Sequence, residues 1–96
     1  MYKEISLKRL KELLNKYKGK NMIVEILGSI TCLIPLEDFE SWTDIIADVD
    51  NLVFYSNETE QSCFVATEFL DDIWYSTELG EIMMDAGELN IVLREV

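Results

Sequence analysis

The chain of 96 residues has no histidine, one proline and two cysteines, and it has no lysine or arginine between Lys20 and Arg94. Without histidine, the usual general base near neutral pH and the commonest metal ligand are both missing. No run of about 18 apolar residues occurs, and the first residues lack the apolar stretch of a secretory signal. These absences argue against a membrane span and predict a cytoplasmic protein.

Motifs of the common enzyme classes are missing as well. The chain contains no glycine-rich phosphate loop, no nucleophile elbow, no HExxH and no CxxC. Cys32 and Cys63 lie in separate apolar, strand-like runs, where a free thiol usually behaves as a small hydrophobic residue. The sequence therefore predicts no catalytic residue, no cofactor and no metal site, and it favours a protein that is not an enzyme.

Charge is segregated along the chain. Seven of the eight basic residues lie in the first 20 positions, whereas seventeen of the nineteen acidic residues come later, and the net charge is −11. The hydrophobic fraction of 49% is sufficient for a compact core. We predict one domain over residues 1–96, with a basic helix at about 6–18 and an acidic α+β body at about 21–96.

The opening helix has the clearest signals. Ser6 can cap it, Gly19 can end it, and apolar residues recur at helical spacing at Leu7, Leu10, Leu14 and Tyr17. One interpretation is that this apolar stripe packs on the body while the lysines neutralise some of its carboxylates. The other is that the basic helix binds an acidic partner.

Strand signals fill most of the remaining chain. Two β-rich runs, residues 22–27 and 30–34, flank Gly28 and Ser29 and predict a tight hairpin in which the glycine has positive φ. A second hairpin is predicted from two further runs, and three more short strands complete the pattern, at residues 52–56, 62–66, 73–76, 81–84 and 89–95.

A second helix is predicted near residues 36–49, following Pro35. Its apolar residues are spaced for one helical face, and acidic residues occupy its first turn. The predicted fold class is therefore α+β: an N-terminal amphipathic helix, this second helix, and one curved, mainly antiparallel sheet of five to seven short strands.

The segments KGKNMIVEIL, NLVFY and FVATEFLDDI, placed after a helix, resemble the order of elements in Sm-like and other small β-barrels. The resemblance covers at most residues 7–74 and rests on hydrophobic pattern. It implies an alternative fold, a small SH3/Sm-like β-barrel with residues 35–50 as an insertion. The negative charge departs from the RNA-binding members, so no residue and no activity is carried over.

Carboxylates supply the one functional hypothesis. On the predicted second helix they recur at i, i+3, i+7 and i+11, which places them in a single row. With two more at a hairpin tip, the predicted partner-binding residues are Glu37, Glu40, Asp44, Asp48, Glu58 and Glu60. Exposed carboxylates pair with Lys and Arg, and their field repels nucleic acid and anionic membranes.

The leading hypothesis is a non-enzymatic binding protein for a basic protein partner, with no direct nucleic-acid or membrane binding. In size and charge the chain resembles the small acidic inhibitors of phages and mobile elements that block nucleic-acid-handling proteins. The alternative is a self-associating structural or regulatory module that forms a homo-oligomer. It would use a strand edge or exposed aromatic residues, with Trp42, Trp74 and Tyr75 as candidates.

Overall fold

The computed structural model describes residues 1–96 as one α-helix and nine β-strands arranged in two antiparallel sheets. A single turn of 3₁₀ helix, Thr67–Phe69, precedes the seventh strand. The elements are β1 (Lys3–Glu4), α1 (Leu7–Lys16), β2 (Met22–Leu27), β3 (Cys32–Leu36), β4 (Phe39–Ile46), β5 (Val49–Ser56), β6 (Ser62–Ala66), β7 (Leu70–Ser76), β8 (Glu81–Ala86) and β9 (Leu89–Glu95).

The opening helix is confirmed. The Ser6 hydroxyl accepts a hydrogen bond from the Arg9 backbone N–H at 3.1 Å, which caps the first turn. Leu10, Leu13 and Leu14 are buried, so the apolar stripe of α1 packs on the chain's own core. The prediction that α1 packs on the body is therefore confirmed, whereas none of the lysines within α1 forms an ion pair with a carboxylate of the body.

The larger sheet has six strands in the order β1-β7-β8-β9-β2-β3. Alternate residues of its strands face α1 and the smaller sheet, as the strand period of two requires. Val24, Ile82, Met84 and Leu93 are almost completely buried on this inner face. The predicted strands 89–95 and 81–84 lie within this sheet as β9 and β8.

The smaller sheet has three strands in the order β4-β5-β6. Its inner face contributes Phe39, Leu52 and Phe54 to the same buried cluster as the larger sheet. The rings of Phe39 and Phe54 stack with centroids 6.2 Å apart. The two sheets and α1 therefore share one hydrophobic core.

The prediction of an α+β fold with a second helix near residues 36–49 is wrong. The chain is mostly β, with one α-helix and two antiparallel sheets, and this segment forms β4 and the turn into β5. A helix would have buried Phe39, Trp42, Ile46 and Val49 as one stripe. Instead Phe39 is fully buried while Trp42 is 40% exposed, because side chains alternate between the two faces of a strand.

A tight turn at Ala47 and Asp48 explains why the helical spacing does not produce a helix. Both residues have positive φ, 53° and 64°, the geometry of a two-residue hairpin turn between Ile46 and Val49. Such turns usually contain Gly, Asn or Asp, and without a glycine the pair Ala47 and Asp48 gives only a weak turn signal in the sequence. Pro35, predicted to open the helix, lies inside β3.

Two further expectations are corrected. The segment 35–50 is not an insertion in a small SH3/Sm-like barrel, because β4 pairs with β5 along its full length and Phe39 belongs to the core. The first hairpin does not turn at Gly28 and Ser29 alone, since β3 begins only at Cys32. Gly28 lacks a positive φ, and a Cβ there would lie 2.5 Å from Leu89 Cδ2. A side chain at this position would have to displace the end of the exposed Leu89 side chain.

Neither α1 nor the 3₁₀ turn has the length and hydropathy that a membrane-crossing helix requires.

Candidate protein-binding surface on the three-stranded sheet

The outer face of the three-stranded sheet is the side turned away from the core. Because Leu52 and Phe54 of β5 point inward, Val53 and Tyr55 point outward. The strand register places Trp42 beside Val53 on one side and Phe64 beside it on the other. We call Trp42, Val53, Tyr55 and Phe64 the aromatic face.

Large rings are exposed on this face. Trp42 is 40% exposed and Phe64 is 57% exposed, whereas Val53 between them is 6% exposed. The rings of Trp42 and Tyr55 pack with centroids 5.4 Å apart in a tilted arrangement. Aromatic residues held in place by neighbours but open to solvent are typical anchors of protein interfaces.

Two of the predicted carboxylates belong to the same face. Glu40 and Asp44 lie on β4 two residues before and two residues after Trp42, so all three side chains point outward. Asp44 is exposed and Glu40 is half-buried. The Glu40 carboxylate accepts a hydrogen bond from the Asn57 side-chain amide at 3.2 Å. The aromatic face is therefore flanked by negative charge along β4.

Further predicted carboxylates gather near the end of the sheet where β4 begins. Glu37 lies in the β3–β4 connection and Glu58 and Glu60 lie in the β5–β6 loop, and all three are exposed. The Ser56 hydroxyl donates to the Glu37 carbonyl at 2.6 Å, and the Asn57 N–H donates to the Asp38 carbonyl at 3.1 Å. These hydrogen bonds hold the two loops together.

Asp48 lies at the opposite end, in the turn between β4 and β5. The strand from Glu40 to Ile46 is six residue steps long, about 20 Å at about 3.3 Å per residue, and Asp48 lies beyond its end. There it lines a shallow cleft of about 250 Å³ with Asp50, Glu68, Val49 and Thr67. The six predicted residues therefore lie on one small sheet and its loops, but not in a single row. The predicted helical row of four is wrong because its helix is absent.

Three carboxylates of this region lie at strained backbone positions. Asp38, Asp48 and Glu60 have positive φ of 51°, 64° and 62°, a conformation that favours glycine. Sequence reasoning did not include Asp38 in the site. A non-glycine residue kept in this conformation often has a role outside stability.

All four ion pairs of the chain lie outside residues 37–69. They join the N-terminal amine to Glu78, Arg9 to Glu12, Lys20 to Glu95 and Arg94 to Glu25. The lysines of α1 therefore neutralise none of the nine carboxylates in that segment, which are Glu37, Asp38, Glu40, Asp44, Asp48, Asp50, Glu58, Glu60 and Glu68.

Other aromatic and thiol candidates are placed less favourably. Trp74 and Tyr75 on β7 are half-buried, and Tyr75 packs against the core. Cys63 faces inward from β6, and burial raises the pKa of its thiol to about 11, so the reactive thiolate is disfavoured at neutral pH. Cys32 is exposed on β3, and both cysteines are free.

Phe64 and Tyr55 were not among the aromatic residues predicted for the surface. Strand alternation carries the missing signal, since Cys63 and Val65 face inward and thereby direct Phe64 outward. No group of three or more Cys, Asp or Glu side chains is arranged to hold a metal ion. The outer surface of the three-stranded sheet presents carboxylates and apolar rings.

No protein-family model, curated protein or solved structure matches this chain.

Proposed function

We propose that this chain is a non-enzymatic binding protein whose three-stranded sheet docks on a cationic surface of a basic protein. One observation carries the proposal: residues 37–69 hold nine carboxylates, no lysine and no arginine, and take part in none of the ion pairs. Carboxylates left without internal cations favour the Lys and Arg side chains of another molecule.

The aromatic face supplies the apolar part of the interaction. Trp42 and Phe64 are exposed at its centre, while Glu40 and Asp44 flank it on β4. This arrangement of apolar anchors inside a charged rim is common in protein interfaces. The rim steers the partner and sets the orientation, and burial of the rings slows dissociation.

The partner class follows from the sign and extent of the charge. A surface that carries only negative charge fits a protein that binds phosphates, so we propose a nucleic-acid-handling protein as the partner, blocked when its cationic channel is occupied. This is the mode of action of an inhibitor of the phage or mobile-element type. Direct binding to nucleic acid is disfavoured because the same field repels phosphates.

Self-association is the competing function. The open edges of the sheets and the exposed aromatic face favour it, but each copy carries a net charge of −11, which opposes close approach of two copies. Sedimentation at low and high salt separates the two functions. A homo-oligomer that buries Trp42 at all salt concentrations would replace the present proposal.

The test compares two variants with equal charge loss. Glu40→Gln, Asp44→Asn and Glu58→Gln are combined in the site variant, and Glu4→Gln, Asp71→Asn and Glu88→Gln in the control variant. The native chain and the two variants are each immobilised, and basic proteins are captured from lysate at low salt. The bound proteins are then eluted with a salt gradient, because ionic contacts weaken with ionic strength.

The site variant should lose the salt-sensitive partner, whereas the control variant should retain it. Equal loss in both variants would mean that only net charge matters and that the three-stranded sheet is not the docking surface. Capture that does not depend on salt in any variant would contradict the electrostatic part of the proposal.

A further inference from the structure

Strand β4 forms one edge of the three-stranded sheet, and most of this edge is open. Only its first residue is covered: Phe39 N–H donates to the Lys20 carbonyl at 2.9 Å, and the Phe39 carbonyl accepts from the Gly19 N–H at 2.8 Å. Beyond Phe39, residues 42–45 are all exposed. The strand therefore continues for most of its length without a neighbouring strand on this side, although α1 lies close to it.

The covered residue shows which backbone groups face the open edge. In an antiparallel pair, successive residues point their N–H and C=O alternately toward and away from the partner strand. Since the N–H and C=O of Phe39 point away from β5, those of Ser41, Thr43 and Ile45 do so as well. The Ile45 N–H is held by the Asp44 carboxylate at 2.8 Å, which leaves Ser41 and Thr43 with a complete donor and acceptor pair each.

The other sheet edges are shorter or blocked. Strand β1 has two residues, β6 has five and ends at the 3₁₀ turn, and β3 contains Pro35, which has no N–H to donate. Strand β4 has eight residues, no proline, no lysine and an unbroken register with β5. Proteins normally protect a long open edge, because it recruits another strand.

A cleft runs beside this edge. Its volume is about 350 Å³, and it lies between α1 and the three-stranded sheet. The helix contributes Lys11, Leu14 and Asn15 to the lining, and the sheet contributes Ser41, Trp42, Thr43 and Leu52. A strand added to β4 would point every second side chain toward this cleft and the others toward the outer face.

From this geometry we propose that an extended segment of the basic partner binds as a fourth strand on the open edge of β4. The segment alternates apolar and cationic residues. Its apolar side chains enter the cleft above Leu14 and Leu52, and its Lys or Arg side chains lie on the outer face beside Glu40 and Asp44. Strand addition of this kind gives affinity through main-chain hydrogen bonds and specificity through alternate side chains.

The charges on the two sides of the edge determine which positions of the bound segment are apolar and which are cationic. Lys11 in the cleft disfavours a cation at the inward positions, whereas Glu40 and Asp44 favour one at the outward positions. A second copy of this chain, which carries a net charge of −11, is repelled from this edge. Antiparallel pairing of two β4 strands centred on Trp42 would place Glu40 opposite Asp44 of the other copy, and like charges directly opposite are destabilising.

This inference rests on the proposed function and adds to it the shape of the bound segment. The test uses eight-residue synthetic peptides, the length of β4, in which valine and lysine alternate. One control peptide has the same composition in two blocks. A second has the alternating sequence with N-methyl groups on alternate backbone nitrogens, which removes the N–H donors on one edge and leaves every charge in place.

We expect the alternating peptide to bind the native chain and to protect the Ser41 and Thr43 amides from hydrogen exchange. The peptide methylated on the pairing edge should bind at least about tenfold more weakly, as the loss of two or more hydrogen bonds implies. Thr43→Pro should weaken binding similarly, because it removes an edge N–H that does not pair with β5.

The outcomes separate the inference from the proposed function. Equal, salt-sensitive binding of all three peptides without amide protection would overturn strand addition and leave the electrostatic surface in place. If no peptide binds at low salt, both proposals fail. A chain that dimerises alone with Ser41 and Thr43 already protected would assign the edge to a second copy and overturn the inference. Because the peptides test the native chain, a Thr43→Pro variant that fails to fold does not decide the result.

Discussion

The two sheets share one core but differ in their ion pairs and in the residues that occupy positive-φ positions. The six-stranded sheet pairs Arg94 with Glu25 and holds Glu95 against Lys20, and glycines Gly80 and Gly87 take the positive φ in its turns. The three-stranded sheet has no ion pair, and carboxylates take most of the positive-φ positions in its turns. The larger sheet follows the rules of a stable scaffold, whereas the smaller sheet departs from them where its carboxylates are exposed.

This contrast supports the smaller sheet as the proposed binding surface. A region that leaves like charges unpaired and holds acidic residues in a conformation suited to glycine is less stable than the same fold allows. Departures from local rules concentrate at functional sites. Substitution of matched residues in the two sheets tests this contrast.

The largest expected effect separates the two faces of the smaller sheet. Phe39→Ala should lower the free energy of unfolding by about 3–5 kcal/mol, because it removes a fully buried ring from the shared core. Phe64→Ala, on the aromatic face, should lower it by less than about 1 kcal/mol. Urea denaturation measures both. If Phe64→Ala lowers the free energy of unfolding as much as Phe39→Ala does, the outer face contributes to stability and does not differ from the inner face.

For binding affinity, in contrast to stability, a substitution on the aromatic face should have the larger effect. Trp42→Ala is expected to weaken binding to the captured basic partner by about 2 kcal/mol, since an exposed ring inside a charged rim becomes buried in the complex. Trp74→Ala on the six-stranded sheet is the matched control and should leave affinity nearly unchanged. Titration calorimetry measures both affinities. A larger loss of affinity from Trp74→Ala than from Trp42→Ala would place the interface on the larger sheet.

Alkaline pH should weaken the packing between α1 and the sheets. Burial and the neighbouring Tyr75 raise the pKa of Tyr17 from 10.0 to about 12, and burial raises that of Cys63 from 9.0 to about 11. Both groups are neutral when protonated, and the unfolded chain loses these protons first as pH rises. Stability is therefore complete below about pH 9 and falls between about pH 9 and pH 12.

After allowance for solvent screening, each group should contribute about 1 kcal/mol to this fall. Tyr17→Phe keeps the ring and removes the ionisable hydroxyl, so its urea midpoint should decline less between pH 9 and pH 12 than that of the native chain. An identical decline in both proteins would mean that Tyr17 ionises in the folded state as freely as in the unfolded state.

The smallest effect concerns the strained turns. Glu60→Gly should raise the free energy of unfolding by about 0.5–1 kcal/mol, because glycine adopts the positive φ at this position without strain and this gain exceeds its added unfolded-state entropy. Gly87→Ala, at a similar φ of 66° on the larger sheet, should lower it by about 1 kcal/mol. A destabilising Glu60→Gly would show that its carboxylate is needed for folding.

Several elements were predictable because their signals are local. The α1 helix has a capping serine and a regular apolar stripe, and residues 62–66 and 89–95 form the strands their alternation predicts. The second helix was predicted wrongly because the spacing of Phe39, Trp42, Ile46 and Val49 fits one helical face, whereas the strands place Phe39 and Trp42 on opposite faces of the sheet. The spacing of apolar residues alone does not distinguish a helix from two strands when the turn between the strands, at Ala47 and Asp48, contains no glycine.

By itself the sequence determined the charge segregation, the capped helix and most of the strands, because composition, caps and alternation act over a few residues. Only the tertiary structure decided that residues 39–46 form an edge strand, that Glu40 and Asp44 share a face with Trp42, and that no lysine reaches them. These outcomes depend on pairing with β5 and on the docking of α1. Both are contacts between residues distant in sequence, so no local pattern records them.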